Sequence, residues 1–128
     1  MTAEEQRNLK LAAQYEELYI TDIERFVREC YTPDCEAHAM GGGIIRGQEQ
    51  FLRVEQAVLR AAPRRRMRVD RAHATGNVVI AEVMLLDPDK GPDWNIPFCA
   101  VLTCRDGKIV TDRSYADWSQ WPGLDELR

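Results

Sequence analysis

Four side chains in this sequence have types and settings suited to moving a proton: Tyr15, His38, Glu82 and Asp112. A tyrosine hydroxyl donates a hydrogen bond to a carbonyl or enolate oxygen, and a histidine exchanges a proton near neutral pH. Glu82 is the unusual carboxylate, because strand alternation sets it in frame with Ile80, Met84 and Leu86. A carboxylate in such an apolar row needs a partner or a raised pKa. With Tyr15 as donor, His38 as general base, and Glu82 or Asp112 as second acid or base or as the group orienting His38, the set suits proton transfer beside a carbonyl. Each residue also has a purely structural reading. Tyr15 fits a packed helix stripe with its hydroxyl at the surface, and His38 an exposed place before a glycine turn. Glu82 fits an ion pair with Arg68, Arg71 or Arg113, Asp112 a solvated strand mouth, and His73 a strand surface.

Other chemistry-bearing residues point to less. Cys30, Cys35, Cys99 and Cys104 are even in number, but there is no Cys-x-x-Cys and there are only two histidines. They read as small buried hydrophobes, with no metal site expected. The run Asp87-Pro88-Asp89-Lys90-Gly91-Pro92-Asp93 lacks the ligand spacing of a calcium loop and reads as a hairpin connection. With 17 basic against 21 acidic side chains, the net charge of −4 disfavours nucleic acid as a partner. The cluster Arg64-Arg65-Arg66-Met67-Arg68 follows Ala61-Ala62-Pro63, so it reads as a solvated strand start complementing a helix C-terminus. No apolar run approaches the roughly 18 to 20 residues of a membrane span, and Met1 to Gln6 lack the regions of a signal peptide. The expectation is a soluble cytoplasmic protein with no membrane partner.

These side chains must be held by one domain, residues 1–128, since a chain of this length buries roughly two-thirds of its unfolded surface. Residues 3–20 set Leu11, Tyr15, Leu18 and Tyr19 on one helical stripe. Asp22 caps a second helix carrying Ile23, Phe26, Val27 and Cys30, which ends at Thr32-Pro33-Asp34. A short segment with alternating Cys35, Ala37 and Ala39 leads to the turn Gly41-Gly42-Gly43. A third helix spans about residues 48–62, with Phe51, Val54, Val58 and Ala62 on one side. From Arg65 the period becomes two, and turns at Thr75-Gly76-Asn77, residues 87–93 and Arg105-Asp106-Gly107 divide the remainder into four long strands. Helices first and strands afterwards predict an α+β fold, an antiparallel sheet with its helices on one face. The strand at residues 78–86 is apolar on both faces, so its outer face wants a cover. A second copy of the chain is the simplest one, which predicts a homodimer.

The same order of elements carries five local phrases: Ala13-Gln14-Tyr15-Glu16-Glu17-Leu18, Cys30-Tyr31-Thr32-Pro33-Asp34, Ile45-Arg46-Gly47-Gln48-Glu49, Asp106-Gly107-Lys108-Ile109 and Arg113-Ser114-Tyr115-Ala116-Asp117. Together they resemble the nuclear transport factor 2-like superfamily, in its SnoaL-like, ketosteroid isomerase-like and limonene epoxide hydrolase-like branch. The resemblance implies a cone, a curved sheet around a long helix, with an apolar pocket open at one end. It also implies that the pocket lies on the Asp112 and Ser114 side, with Ile96, Phe98 and Ala100 inward and Met40, Met84 and Trp118 able to crowd it. Trp118 and Trp121 stand in a tail placed to fold over the pocket mouth or to join a dimer contact.

Members of this superfamily include isomerases, cyclases, dehydratases, epoxide hydrolases and proteins that only bind, so the fold leaves function open. The hydrolase's arginine between two aspartates is absent, because Glu82, Met84 and Ser114 stand at the matching positions. Of an isomerase's set, Tyr15 matches the tyrosine, the second acid falls near Ala100, and the base falls at Ala39 or His38. The reading this leaves is a cofactor-independent acid/base isomerase, cyclase or dehydratase acting on a hydrophobic cyclic polyketide, terpenoid or steroid-like molecule. The rivals are a non-enzymatic ligand-binding or dimerisation module, and an epoxide or lactone hydrolase built on Glu82 and Asp112.

Overall fold

The computed structural model describes residues 1–127. Helix α1 (Ala3–Thr21) starts at Thr2, whose hydroxyl accepts the Glu5 amide at 3.1 Å while the Glu5 carboxylate accepts the Thr2 amide at 2.8 Å. This reciprocal cap satisfies two of the free amides at the helix start. Asp22 accepts the Arg25 amide at 3.1 Å and opens α2 (Ile23–Cys30) as the sequence predicts. Strand β1 (Tyr31–Ala39) follows directly, then β2 (Gly43–Arg46) and helix α3 (Gly47–Ala61). The four long strands are β3 (Arg66–Thr75), β4 (Val78–Leu86), β5 (Asn95–Arg105) and β6 (Lys108–Tyr115). The chain closes with short 3₁₀ turns at Trp118–Gln120 and Leu124–Leu127.

All six strands form one sheet in the order β2-β1-β6-β5-β4-β3. The fold is α+β, but the expectation of a wholly antiparallel sheet is corrected: β1 runs parallel to β6, with Ala37 opposite Asp112 and Ala39 opposite Ser114. That pairing joins residues far apart in sequence, so no local turn announces it. Register shifts interrupt β3 at Val69/Arg71 and β5 at Thr103/Cys104. Such bulges bend a sheet, and here the concave side receives the helices.

The helix stripe Leu11, Tyr15, Leu18 and Tyr19 is buried, as are Phe26, Val27 and Cys30. They pack on Val79, Ala81, Val83 and Leu85 from β4 and on Ile96, Phe98, Ala100 and Leu102 from β5. The inward face of β4 is therefore the odd-numbered one. Arg65 departs from the solvated reading of its cluster: it is 1% exposed, donates from Nη2 to the Tyr19 carbonyl at 3.0 Å, and lies 4.3 Å above the Tyr19 ring. Arg64 and Arg68 do stay at the surface, paired with Asp89 and Asp70. Cys30, Cys35, Cys99 and Cys104 are free thiols.

Candidate active site

A cavity of about 90 Å³ lies between the helices and the concave sheet. Its walls are aromatic because the inward stripes of three helices meet there. Phe26 stands 5.1 Å from Tyr15, 5.2 Å from Tyr19 and 5.5 Å from Tyr31, and Tyr31 stands 4.6 Å from Phe51. The outer wall comes from the tail, where Trp118 and Trp121 lie 5.0 Å apart and Trp121 meets Phe98 edge-on at 5.3 Å. Trp118 Nε1 donates to the Met40 carbonyl at 3.1 Å. Gly123 fixes the return of the tail across α3: its φ is +83°, and a Cβ there would fall 2.6 Å from the Ala57 carbonyl oxygen. Leu124 is thereby placed against the cavity.

The principal polar group in this wall is Asp112, delivered by β6 on the same face as Ser114 and only 6% exposed. Tyr31 donates its hydroxyl to Oδ2 at 2.7 Å, and Ser114 donates to Oδ1 at 2.6 Å. Burial raises the Asp112 pKa, while the two hydroxyls and nearby His38 hold it down. The result is a carboxylate shifted toward neutral pH yet kept in one orientation, which is the requirement for a general base. Tyr15 lines the same cavity, and its pKa is pushed up first by burial and next by the Asp112 charge. Its phenol therefore stays protonated and able to donate. The chemistry available is proton removal by Asp112 from a carbon acid whose oxygen is held by Tyr15.

The expected site residues divide. Tyr15, Asp112, Ser114, Phe98 and Trp118 line the cavity. His38 lines it as well, with Nε2 3.2 Å from Glu36 Oε1, and Glu36 also pairs with Arg46. Glu36 and His38 are two apart on one strand and share a face, whereas Ala37 between them takes the buried side. Glu82 is corrected: it lies on the convex face, half exposed, with Oε2 2.7 Å from Arg71 Nε. Met84 shares that face beside Pro97 and Cys99, outside the cavity. The pair Glu82 and Asp112 therefore does not converge, and with it goes the hydrolase arrangement built on the two. Ile96 is corrected to a core residue, and Met40 takes part through its backbone carbonyl.

Three polar lining residues were not among the expected site residues: Tyr19, Tyr31, which holds Asp112, and Glu55. Glu55 projects from α3, and burial raises its pKa to about 7 against the opposing charge of Arg65. Its spacing was a usable signal, four residues after Phe51 and three before Val58 on the buried stripe.

The fold recurs among solved structures. A candidate SnoaL-like polyketide cyclase from Jannaschia sp. CCS1 is 18% identical over 93% of this chain and 91% of that one, with a TM-score of 0.81. IdmH, a candidate polyketide cyclase from Streptomyces antibioticus, is 20% identical over 94% and 97%, with a TM-score of 0.76. An LEH-like epoxide hydrolase of M. tuberculosis is 20% identical over 92% and 88%, with a TM-score of 0.72. No curated protein is detectably similar to the chain in sequence. The SnoaL-like domain model matches residues 12–111, from the middle of α1 to the start of the Asp112 face. The chain belongs to the SnoaL-like domain family.

Proposed function

We propose that the protein is a cofactor-independent acid/base enzyme of isomerase, cyclase or dehydratase type, acting on a small hydrophobic cyclic ketone or its equivalent. The observation that carries this reading is the buried Asp112 carboxylate, held by Tyr31 and Ser114 and facing an aromatic cavity beside Tyr15. Asp112 removes a proton from the carbon next to a carbonyl, and the electron pair moves onto the carbonyl oxygen. Tyr15 donates a hydrogen bond to that oxygen as charge develops. Return of the proton at another carbon gives isomerisation. Attack of the enolate carbon on a second carbonyl, whose oxygen takes back the proton held by Asp112, gives ring closure, and departure of a β-hydroxyl as water with that same proton gives dehydration. His38, which the sequence suggests as base, lines the same cavity, and in this reading it acts by lowering the Asp112 pKa.

Cavity size favours a compact substrate. A cavity of about 150 Å³ accommodates benzene, and the volume here is about 90 Å³. Even a single ring therefore enters only when Trp118 and Trp121 shift outward, and a fused polycycle requires the whole tail to move.

The test works whichever ring is the natural substrate. Cyclic ketones incubated with the protein in deuterated water exchange their α-protons when a base abstracts them, and proton NMR follows the loss. Catalysed exchange that disappears in Asp112→Asn supports the reading. Binding of the ketones with no exchange above buffer overturns it and leaves the rival, a ligand-binding module, which the small aromatic cavity also suits.

The convex face bears partly exposed Ile80 and Tyr115 beside Met84. We propose that a second copy of the chain covers it, and sedimentation analysis of the protein and of Ile80→Glu tests this: a dimer that the charge dissociates supports it, and a monomer at all concentrations overturns it.

A further inference from the structure

The cavity has two polar levels, and the active-site reading uses only one of them. On α1, Tyr15 and Tyr19 are one turn apart and both line the cavity. On α3, Phe51 and Glu55 are likewise one turn apart. Phe26 touches both tyrosines of α1, and the first level is marked by Tyr31, which packs on Phe51 and donates to Asp112. Tyr19, Glu55 and Arg65 form the second level, which lies roughly 6 Å further along both helices, the advance of four helical residues.

The second level differs from the first in how its polar atoms are matched. Glu55 Oε2, Tyr19 Oη and Arg65 Nε are all buried, and no hydrogen-bond partner among the described residues meets them. Tyr19 and Glu55 face each other closely enough for the phenol to act as a hydrogen-bonding neighbour that holds the carboxyl pKa down, but outside full hydrogen-bond geometry. Tyr19 is 2% exposed and Arg65 is 1% exposed. Arg65 is engaged elsewhere, through Nη2 to the Tyr19 carbonyl and by stacking on the Tyr19 ring, so it fixes Tyr19 in place. Buried polar groups are normally paired, and an unpaired one is costly. Two such groups, on different helices and facing one small cavity, make a built recognition point.

We propose that Tyr19 and Glu55 form a second oxygen-binding subsite, so that the preferred ligand is a compact ring bearing a neutral oxygen at each of two opposite positions. This inference rests on the proposed reading of Asp112 and Tyr15 as the reacting end. One ring oxygen meets Tyr15, and the other accepts from the Tyr19 hydroxyl or exchanges a hydrogen bond with the Glu55 carboxyl. A neutral ligand is specified because the second level already holds an acid, and an anionic group would meet Glu55 and Asp112 together. Opposite corners of a six-membered ring place two oxygens about one helical turn apart, the same spacing as the two levels.

Calorimetric affinities for 4-hydroxycyclohexanone and 2-hydroxycyclohexanone decide the matter. The two have the same atoms and differ only in where the second oxygen sits. The expected result is about fivefold to tenfold tighter binding of the 4-hydroxy ring, the scale of one added neutral hydrogen bond. That preference collapses toward one in Tyr19→Phe and in Glu55→Leu. Glu55→Gln keeps part of it, because the amide retains a donor and an acceptor in the same shape. Circular dichroism identifies any variant that does not fold, and the isosteric Tyr19→Phe then carries the comparison. Equal affinities in the native protein, or a preference that survives both Tyr19→Phe and Glu55→Leu, overturn the subsite while leaving Asp112 as the reacting base. Failure of both rings to bind overturns the cavity reading as a whole, and the subsite with it.

Discussion

Asp112 and Glu82 are carboxylates of one sheet, two strands apart, and their fates are opposite. Asp112 shares a cross-strand row with Leu102 and Val79, all buried on the concave side. Glu82 shares a row with Cys99 and Tyr115 on the convex side. The first carboxylate trades water for two hydroxyl donors and acquires a raised pKa. The second keeps water and takes an arginine. The difference comes from strand parity alone, one residue of register, which decides whether an acidic side chain is a base or a surface ion.

The largest expected effect of breaking this contrast is on exchange chemistry. Asp112→Asn lowers ketone α-proton exchange by about 100-fold to 10,000-fold, the usual scale of a general base. Glu82→Gln leaves it within about twofold, as suits a residue on the far face, and NMR exchange rates read both. An equal loss in the two variants breaks the comparison.

A third carboxylate sharpens it. Glu55 lines the cavity, like Asp112, but its Oε2 has no hydrogen-bond partner among the described residues. Its folded pKa of about 7 lies above the value of 4.5 it has when unfolded. Between those two values the native state holds a proton that the unfolded state has released, so stability is full below about pH 4.5 and falls as pH rises toward 7. The cost at pH 8 is at most about 3 kcal/mol. Chemical denaturation is expected to show Glu55→Gln more stable than the native sequence at pH 8, with the gap closing by pH 4.5. A gap independent of pH contradicts the assignment.

Next comes the donor to Asp112. Tyr31→Phe removes the hydroxyl from a buried carboxylate and is expected to cost about 1 to 3 kcal/mol at neutral pH. Because the lost hydrogen bond favoured the charged form, the Asp112 pKa rises further, and the activity profile shifts to higher pH. The smallest effect belongs to the convex side. Arg71→Gln breaks an exposed pair and is expected to move Tm by less than about 2 °C in a thermal melt.

What the sequence made readable follows the range of the forces involved. Helix starts were legible at Asp22 because a cap acts within three residues. That Asp112 and Ser114 share a face was legible from alternation after the Asp106-Gly107 turn, where Asp106 has φ +52° and Gly107 +77°, but only the family resemblance implied that this face meets the pocket. The face of Glu82 was not, because β4 is apolar on both sides and only packing against α1 selects the odd-numbered residues. The parallel pairing of β1 with β6 depends on contacts across most of the chain, and β1 is marked only by small alternating residues. Arg65 hid among neighbouring arginines, although it alternates with buried Met67. Glu55 was readable in principle, since it interrupts the apolar stripe of α3, and a carboxylate there has nowhere to go but the cavity.

The most direct test of the account is a carbon-13 NMR titration of the Asp112 carboxyl, assigned by its loss in Asp112→Asn. The account predicts a pKa above the ordinary aspartate value of about 4, lifted by burial and lifted further in Tyr31→Phe. A value at or below the ordinary one, unchanged by removal of the Tyr31 hydroxyl, would contradict the claim that Asp112 is a buried base facing the cavity.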